Sequence, residues 1–190
     1  PFGKETAVGE TTPDLKEFWH HGPQVDESFD SRIASNINVK EVQAFNDQCD
    51  LLFYQLNNLG IEVLRAIALI LNLDSKFFDD WALKGNSILR LIHYPPVSNS
   101  SNTLRARAHG DINLITLLVG AEESGLEVLS PDGDWIPIVA KSKSIVCNIG
   151  DMMELVTRSQ LKSTTHRVVD NNTKTSKSRY SMPFFLHPSP

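Results

Sequence analysis

His109 and Asp111 lie two residues apart. In an extended chain successive side chains alternate faces, so this imidazole and this carboxylate point the same way. Such a pair can supply two donors to a metal, and a third must come from elsewhere. His166 is the natural candidate, 55 positions beyond Asp111 in the strand-like stretch Thr165-His166-Arg167-Val168-Val169. Two histidines and one carboxylate on one face of a metal leave the opposite positions open for oxygen and substrate. That geometry suits non-haem Fe(II). Taken alone, most His-x-Asp pairs are ordinary surface polar residues.

Arg179 and Ser181 form a second constellation, with Arg179 13 residues after His166. The spacing of two again puts guanidinium and hydroxyl on one strand face. An Arg fork pairs with a carboxylate in bidentate fashion, and a serine hydroxyl adds a further hydrogen bond. The same pattern fits an exposed Arg on an edge strand. The following Met182-Pro183-Phe184-Phe185-Leu186 is strongly apolar, however, so this strand should be buried. A buried Arg needs an anionic partner.

The elements that must position these groups follow a simple order. Residues 1–37 read as an irregular segment, with Gly, Pro, Thr and Asp scattered among short apolar pieces. From Val39 to Ile70 apolar residues recur at steps of three and four, which predicts a long amphipathic helix, weakened or bent at Gly60. Asp74 or Ser75 is placed to cap a short helix through Trp81, so residues 38–84 form a helical support. Beyond Gly85 the pattern turns to strands: Ser87–Tyr94, Ile112–Val119, Leu126–Leu129, Trp135–Val139, Ser144–Asn148, Met152–Arg158, Thr165–Val169 and Arg179–Leu186. Turns are expected at Pro131-Asp132-Gly133, Gly150-Asp151 and Asn171-Asn172. Short strands in series with helix confined to the N-terminal side predict a mainly β fold, an all-β sandwich or jelly roll with helical decoration.

Composition limits the partners. The 190 residues suit one domain, and 18 basic against 23 acidic side chains give a formal charge of −5 without a long run of either sign. Neither nucleic acid nor membrane is expected as the partner. Cys49 and Cys147 are too few for a disulfide framework, so reduced thiols and a cytoplasmic setting are expected. The chain begins Pro1-Phe2-Gly3 and ends Pro188-Ser189-Pro190, which suggests a segment of a longer protein.

The order of these motifs resembles the iron/2-oxoglutarate dioxygenase superfamily, specifically its isopenicillin-N-synthase-like branch. The likeness covers Ser87 to Pro190. It includes LRLIHYPP at 89–96, RAHGDINLITLL at 107–118, GLEVLSPDGDWIPI at 125–138, NIGDMMELVT at 148–157, STTHRVV at 163–169 and SRYSMPFFLHP at 178–188. The resemblance implies a double-stranded β-helix over 85–190, with iron held in its mouth by His109, Asp111 and His166. It further implies Arg179 and Ser181 on the distal carboxylate of 2-oxoglutarate. Tyr94 matches a position whose phenol often helps bind that co-substrate, although a half-buried aromatic packing on the sheet would look the same.

The implied reaction uses Fe(II), 2-oxoglutarate and O2, with ascorbate supportive in vitro. It oxidises a small organic molecule and releases succinate and CO2; hydroxylation is the default, and desaturation or ring closure would need the same residues. Two rivals share these residues. One is an oxidase of the same fold that dispenses with 2-oxoglutarate and grips its substrate's carboxylate with Arg179 and Ser181. The other is a jelly-roll binding module around a structural metal such as zinc, but such sites usually have four protein ligands, and no convincing fourth is evident.

Two departures from the family pattern stand out: residues 1–37 match only loosely, and Gly110 occupies a position where a larger residue is common, which would open space beside the metal. One more expectation comes from parity. In a regular strand Arg105, Arg107, His109 and Asp111 would share a face, so Arg107 would meet an anionic group on the substrate. His93, His20, His21 and His187 are read as non-ligands.

Overall fold

The computed structural model describes residues 14–96, 104–119, 125–169 and 178–190. The elements are β1 (Glu17–His21), α1 (Phe45–Ile70), α2 (Asp79–Ala82), β2 (Ile88–Tyr94), β3 (Leu104–His109), β4 (Ile115–Val119), β5 (Leu126–Leu129), β6 (Trp135–Pro137), β7 (Ile145–Ile149), α3 (Asp151–Val156), β8 (His166–Val169) and β9 (Arg179–Leu186). They build a five-stranded sheet, β1-β2-β9-β4-β7, and a four-stranded sheet, β3-β8-β5-β6. Every pairing is antiparallel, and the two sheets form a double-stranded β-helix.

Alternation along the strands decides which side chains meet the helix and which meet the interior. On β9, Phe184 and Leu186 turn outward and join Leu89, Leu117 and the α1 residues Leu56, Leu64 and Ala68 in the main core. Each fully buried Leu or Phe there contributes roughly 1.5–3 kcal/mol. Phe53 of α1 meets Phe184 edge to face, with ring centroids 5.1 Å apart. Gly60 is buried within an unbroken α1, and a Cβ at that position would collide with Leu186. Its role is close approach of helix to sheet, which the expectation of a weak or bent point missed. The helix begins at Phe45, later than the apolar pattern suggests, because the Asn46 side chain ties down Val39 and Asn38.

The structure corrects several other expectations. Glu17–His21, within the segment read as irregular, is an edge strand paired with β2. Met152–Arg158 is not a strand; Asp151–Val156 is the short helix α3. The Pro131-Asp132-Gly133 turn closes the β5–β6 hairpin, with Gly133 at φ 90°, a conformation that favours glycine. The Asn171-Asn172 turn lies outside the described residues. No described helix is long and apolar enough to cross a membrane.

Candidate active site

The interior faces of the two sheets enclose a cavity that contains His109, Asp111 and His166 together with Arg179, Ser181 and Tyr94. One donor atom from each of the first three lies within 4.8 Å of the others. His109 ends β3 and pairs directly with His166 at the start of β8, bringing the ring centroids to 4.5 Å. Asp111 follows in the loop between β3 and β4, with Oδ1 3.8 Å from His166 Nε2.

Both imidazoles are oriented in the same way. His109 Nδ1 donates to the Arg107 carbonyl at 2.7 Å, and His166 Nδ1 donates to the Thr164 carbonyl at 3.0 Å. A carbonyl only accepts, so Nδ1 carries a proton in each ring and Nε2 is the nitrogen left to face a metal. Burial, aided by the neighbouring His166, pushes the His109 imidazole below its ordinary range, which favours the neutral, metal-binding form. Asp111 is fixed by a different contact. Its Oδ2 accepts the Thr116 hydroxyl at 2.6 Å, and Thr116 in turn accepts from Asn113 Nδ2 at 2.9 Å.

The loop carrying Asp111 is held by α3, the helix that stands where the sequence pattern predicts a strand. The Asp151 amide donates to the Asp111 carbonyl at 2.7 Å, the Met152 amide to Ile112 at 3.1 Å and the Gly150 amide to Leu114 at 3.0 Å. The orphan amides of the first turn of α3 thereby serve as clamps. A Cβ at Gly150 would collide with Asn113. Gly110 also differs from expectation. A Cβ there would meet Asp151 and Ser163 rather than the space beside the three donors.

Arg179, Ser181, Pro183 and Phe185 alternate along β9 and face the cavity, as do Arg90, Ile92 and Tyr94 on β2. Tyr94 pairs with Arg179 and Ile92 with Ser181. The Arg179 guanidinium lies over the Tyr94 ring, 5.1 Å from its centroid, and both residues are buried. Burial raises the Tyr94 phenol above its ordinary value, against a smaller downward pull from Arg179 and Lys16, so it stays protonated. His93 takes the opposite face, where it contacts Glu17, Ser178 and Tyr180.

Arg107 is not among the described residues lining this cavity. The parity argument fails because the β3–β8 register shifts between Leu104 and Ala106 and again between Ala106 and His109. Ala106 therefore lines the cavity in its place. The backbone of Arg107 serves the site: its amide donates to Asp14 at 3.4 Å and its carbonyl orients His109.

Residues 85–188 match the model of the 2OG-Fe(II) oxygenase superfamily. The chain belongs to this superfamily. Among curated relatives, the 2-oxoglutarate-Fe(II) type oxidoreductase hxnY of Emericella nidulans is 31% identical over 95% of the chain and 54% of its own length. The proline hydroxylase buaE of Petromyces alliaceus is 32% identical over 96% of the chain and 59% of its own length. A solved structure of a 2OG-Fe(II) oxygenase family protein from Caulobacter crescentus superposes with a TM-score of 0.89 at 47% identity, covering 100% of the chain and 62% of that protein. A full-length Neurospora crassa protein, solved in complex with alpha-KG, gives 0.85 at 30% identity, with 100% and 62% coverage. The chain thus spans little more than half the length of the curated relatives it matches.

Sequence reasoning missed Lys16, Arg90, Thr116 and Asn148 as cavity residues. The β2, β4 and β7 members were accessible, since alternation from Tyr94 reaches Arg90 and alternation along the fourth strand reaches Thr116. Lys16 had no comparable signal, because the short strand beside it carries no clear apolar alternation.

Proposed function

We propose that the chain is the core of an Fe(II)- and 2-oxoglutarate-dependent oxygenase that hydroxylates a small organic molecule. The observation carrying this reading is the convergence, in one buried cavity, of a His-Asp-His donor set with an Arg-Ser-Tyr group. The donor set fits Fe(II): two imidazoles and a carboxylate, each fixed from behind, with no fourth His, Cys, Asp or Glu donor among the described residues. His109, Asp111 and His166 would hold the metal, and Arg179, Ser181 and Tyr94 would take the distal carboxylate of 2-oxoglutarate. Bound there, the pair supplies the oxidising power, consuming O2 and releasing succinate and CO2.

The protein's own residues bind, orient and exclude water. Thr116 holds one Asp111 oxygen so that the other faces the metal position. Leu118, Leu126, Val168 and Phe185 give the cavity apolar walls. Two free cysteines, Cys49 and Cys147, accord with a reducing, cytoplasmic setting.

The test is succinate formation with Fe(II), 2-oxoglutarate and ascorbate across a panel of amino acids and other small acids. Under anaerobic conditions, adding 2-oxoglutarate to the Fe(II) protein should produce a visible metal-to-ligand charge-transfer band. Substrate oxidation without 2-oxoglutarate, and no such band, would favour the oxidase alternative.

A further inference from the structure

The co-substrate end of the cavity contains a cation with no assigned role. Glu17 pairs with His93 across β1 and β2, and continuing that register by one residue sets Lys16 beside Tyr94. Tyr94 in turn pairs with Arg179 on its other side. One row across the sheet therefore reads Lys16, Tyr94, Arg179, and all three line the cavity. Alternation explains the direction of Lys16: Glu17, its neighbour, points to the other face and meets His93 at 2.7 Å.

Lys16 is 7% exposed and forms an ion pair with Asp14, itself 5% exposed, at 2.9 Å. Asp14 is also tied to β3 through the Arg107 amide, so the pair bridges the β1 edge to the opposite sheet. Burying two charges to close a seam is costly, and apolar residues of similar volume would close it at least as well. An ammonium retained here points to an anion as its second reason for being present. Of the described charged side chains lining the cavity, Lys16, Arg90 and Arg179 are cationic and Asp111 alone is anionic. A carboxylate drawn to Arg179 and Tyr94 enters the field of Lys16 from the opposite side of the phenol.

We propose that Lys16, positioned by Asp14, selects the co-substrate: its ammonium joins Arg179 in attracting the distal carboxylate of a dicarboxylic 2-oxo acid. This rests on the oxygenase reading given above. Lys16 thereby discriminates 2-oxoglutarate from 2-oxo acids of the same length that lack the second carboxylate.

Anaerobic Fe(II) protein titrated with 2-oxoglutarate, followed by the charge-transfer band, tests this directly. The same titration in competition with 2-oxopentanoate measures the chain without its distal carboxylate. Lys16→Gln keeps a hydrogen-bonding group for Asp14 and removes the charge; it should raise the Kd for 2-oxoglutarate about 10-fold, the scale of losing one charge-assisted contact. The Kd for 2-oxopentanoate should be unchanged, and Lys16→Arg should bind 2-oxoglutarate within about 3-fold of wild type, since it keeps the charge. Circular dichroism checks each fold, and Lys16→Met carries the same expectation should Lys16→Gln fail to fold. An unchanged Kd for 2-oxoglutarate in a folded, neutral variant overturns the proposal, as does equal weakening of both acids. Wild-type protein that binds Fe(II) but not 2-oxoglutarate overturns the oxygenase reading itself, whereas loss of binding in Arg179→Ala alone leaves that reading standing and removes only Lys16.

Discussion

Thr116 donates its hydroxyl to Asp111 Oδ2 at 2.6 Å, and this leaves Asp111 Oδ1 facing His166 Nε2. A carboxylate held by one oxygen presents the other in a fixed direction, which is how partners behind a ligand usually tune a metal site. Thr116→Val keeps the shape and removes the hydroxyl. It should weaken Fe(II) binding roughly 10- to 100-fold, while Thr116→Ser retains most of it. Metal titration of the two variants checks this, and equal affinity in Thr116→Val would mean the hydroxyl does not orient Asp111.

Removing a donor outright should be more severe. His109→Ala, Asp111→Ala and His166→Ala each leave two of three donors, and the described residues offer no replacement. Iron occupancy after dialysis should drop sharply in all three and turnover should disappear. His93→Ala, whose ring lies on the other face of β2, should bind iron normally. Arg179→Ala should cost about 2–5 kcal/mol of 2-oxoglutarate binding, the range for truncating one partner of a buried charge pair. Full iron occupancy in Asp111→Ala would refute the assignment of the donor set.

Much of this arrangement was legible in the chain, for a physical reason. Strands such as β2, β4 and β9 show alternation, and alternation states which residues share a face, so Tyr94 with Ile92 and Arg179 with Ser181 follow directly. Where local pattern and tertiary context disagree, the reading fails. Met152–Arg158 looks like a strand because it is short and apolar, but the amides of Asp151 and Met152 are taken by carbonyls 40 residues earlier, which fixes a helical turn. β3 contains two register shifts that no spacing rule foresees, so Ala106 faces inward and Arg107 does not. Lys16 reaches the cavity only because β1 adds to the sheet edge, a long-range pairing.

Gly150 offers a test of the clamp on the Asp111 loop. Its backbone sits against Asn113 so closely that a methyl group would collide with the Asn113 carbonyl and side chain. Gly150→Ala must push apart the start of α3 and the loop it holds. A loss of about 1–3 kcal/mol in stability, typical of overpacking, is expected by urea denaturation. Fe(II) affinity should fall with it, because the Asp151 amide that fixes the Asp111 carbonyl moves too. A stable variant with intact metal affinity would show that the loop orders itself without the helix.

The metal-free protein should lose stability as pH falls from about 7.5 to about 5.5, the interval around the ordinary imidazole pKa. Burial pushes both His187 and His109 below that ordinary value; for His187 the nearby Asp111 opposes burial, and for His109 the neighbouring His166 adds to it. In the unfolded chain both rings regain the ordinary value. Below it, the unfolded state binds more protons than the native state, so stability rises with pH across this window. The contribution is fully present above the unfolded pKa and is lost as pH falls toward the depressed folded values. Glu154, whose carboxyl is lowered chiefly by the Ser163 amide, acts in the same direction, but only below its own ordinary range near 4.5. The two windows are therefore separable. His187→Gln removes one of the two imidazoles without touching the donor set, so thermal melting of the metal-free variant should show a shallower slope of Tm against pH over this interval. An identical slope in wild type and variant would place the titrating group elsewhere.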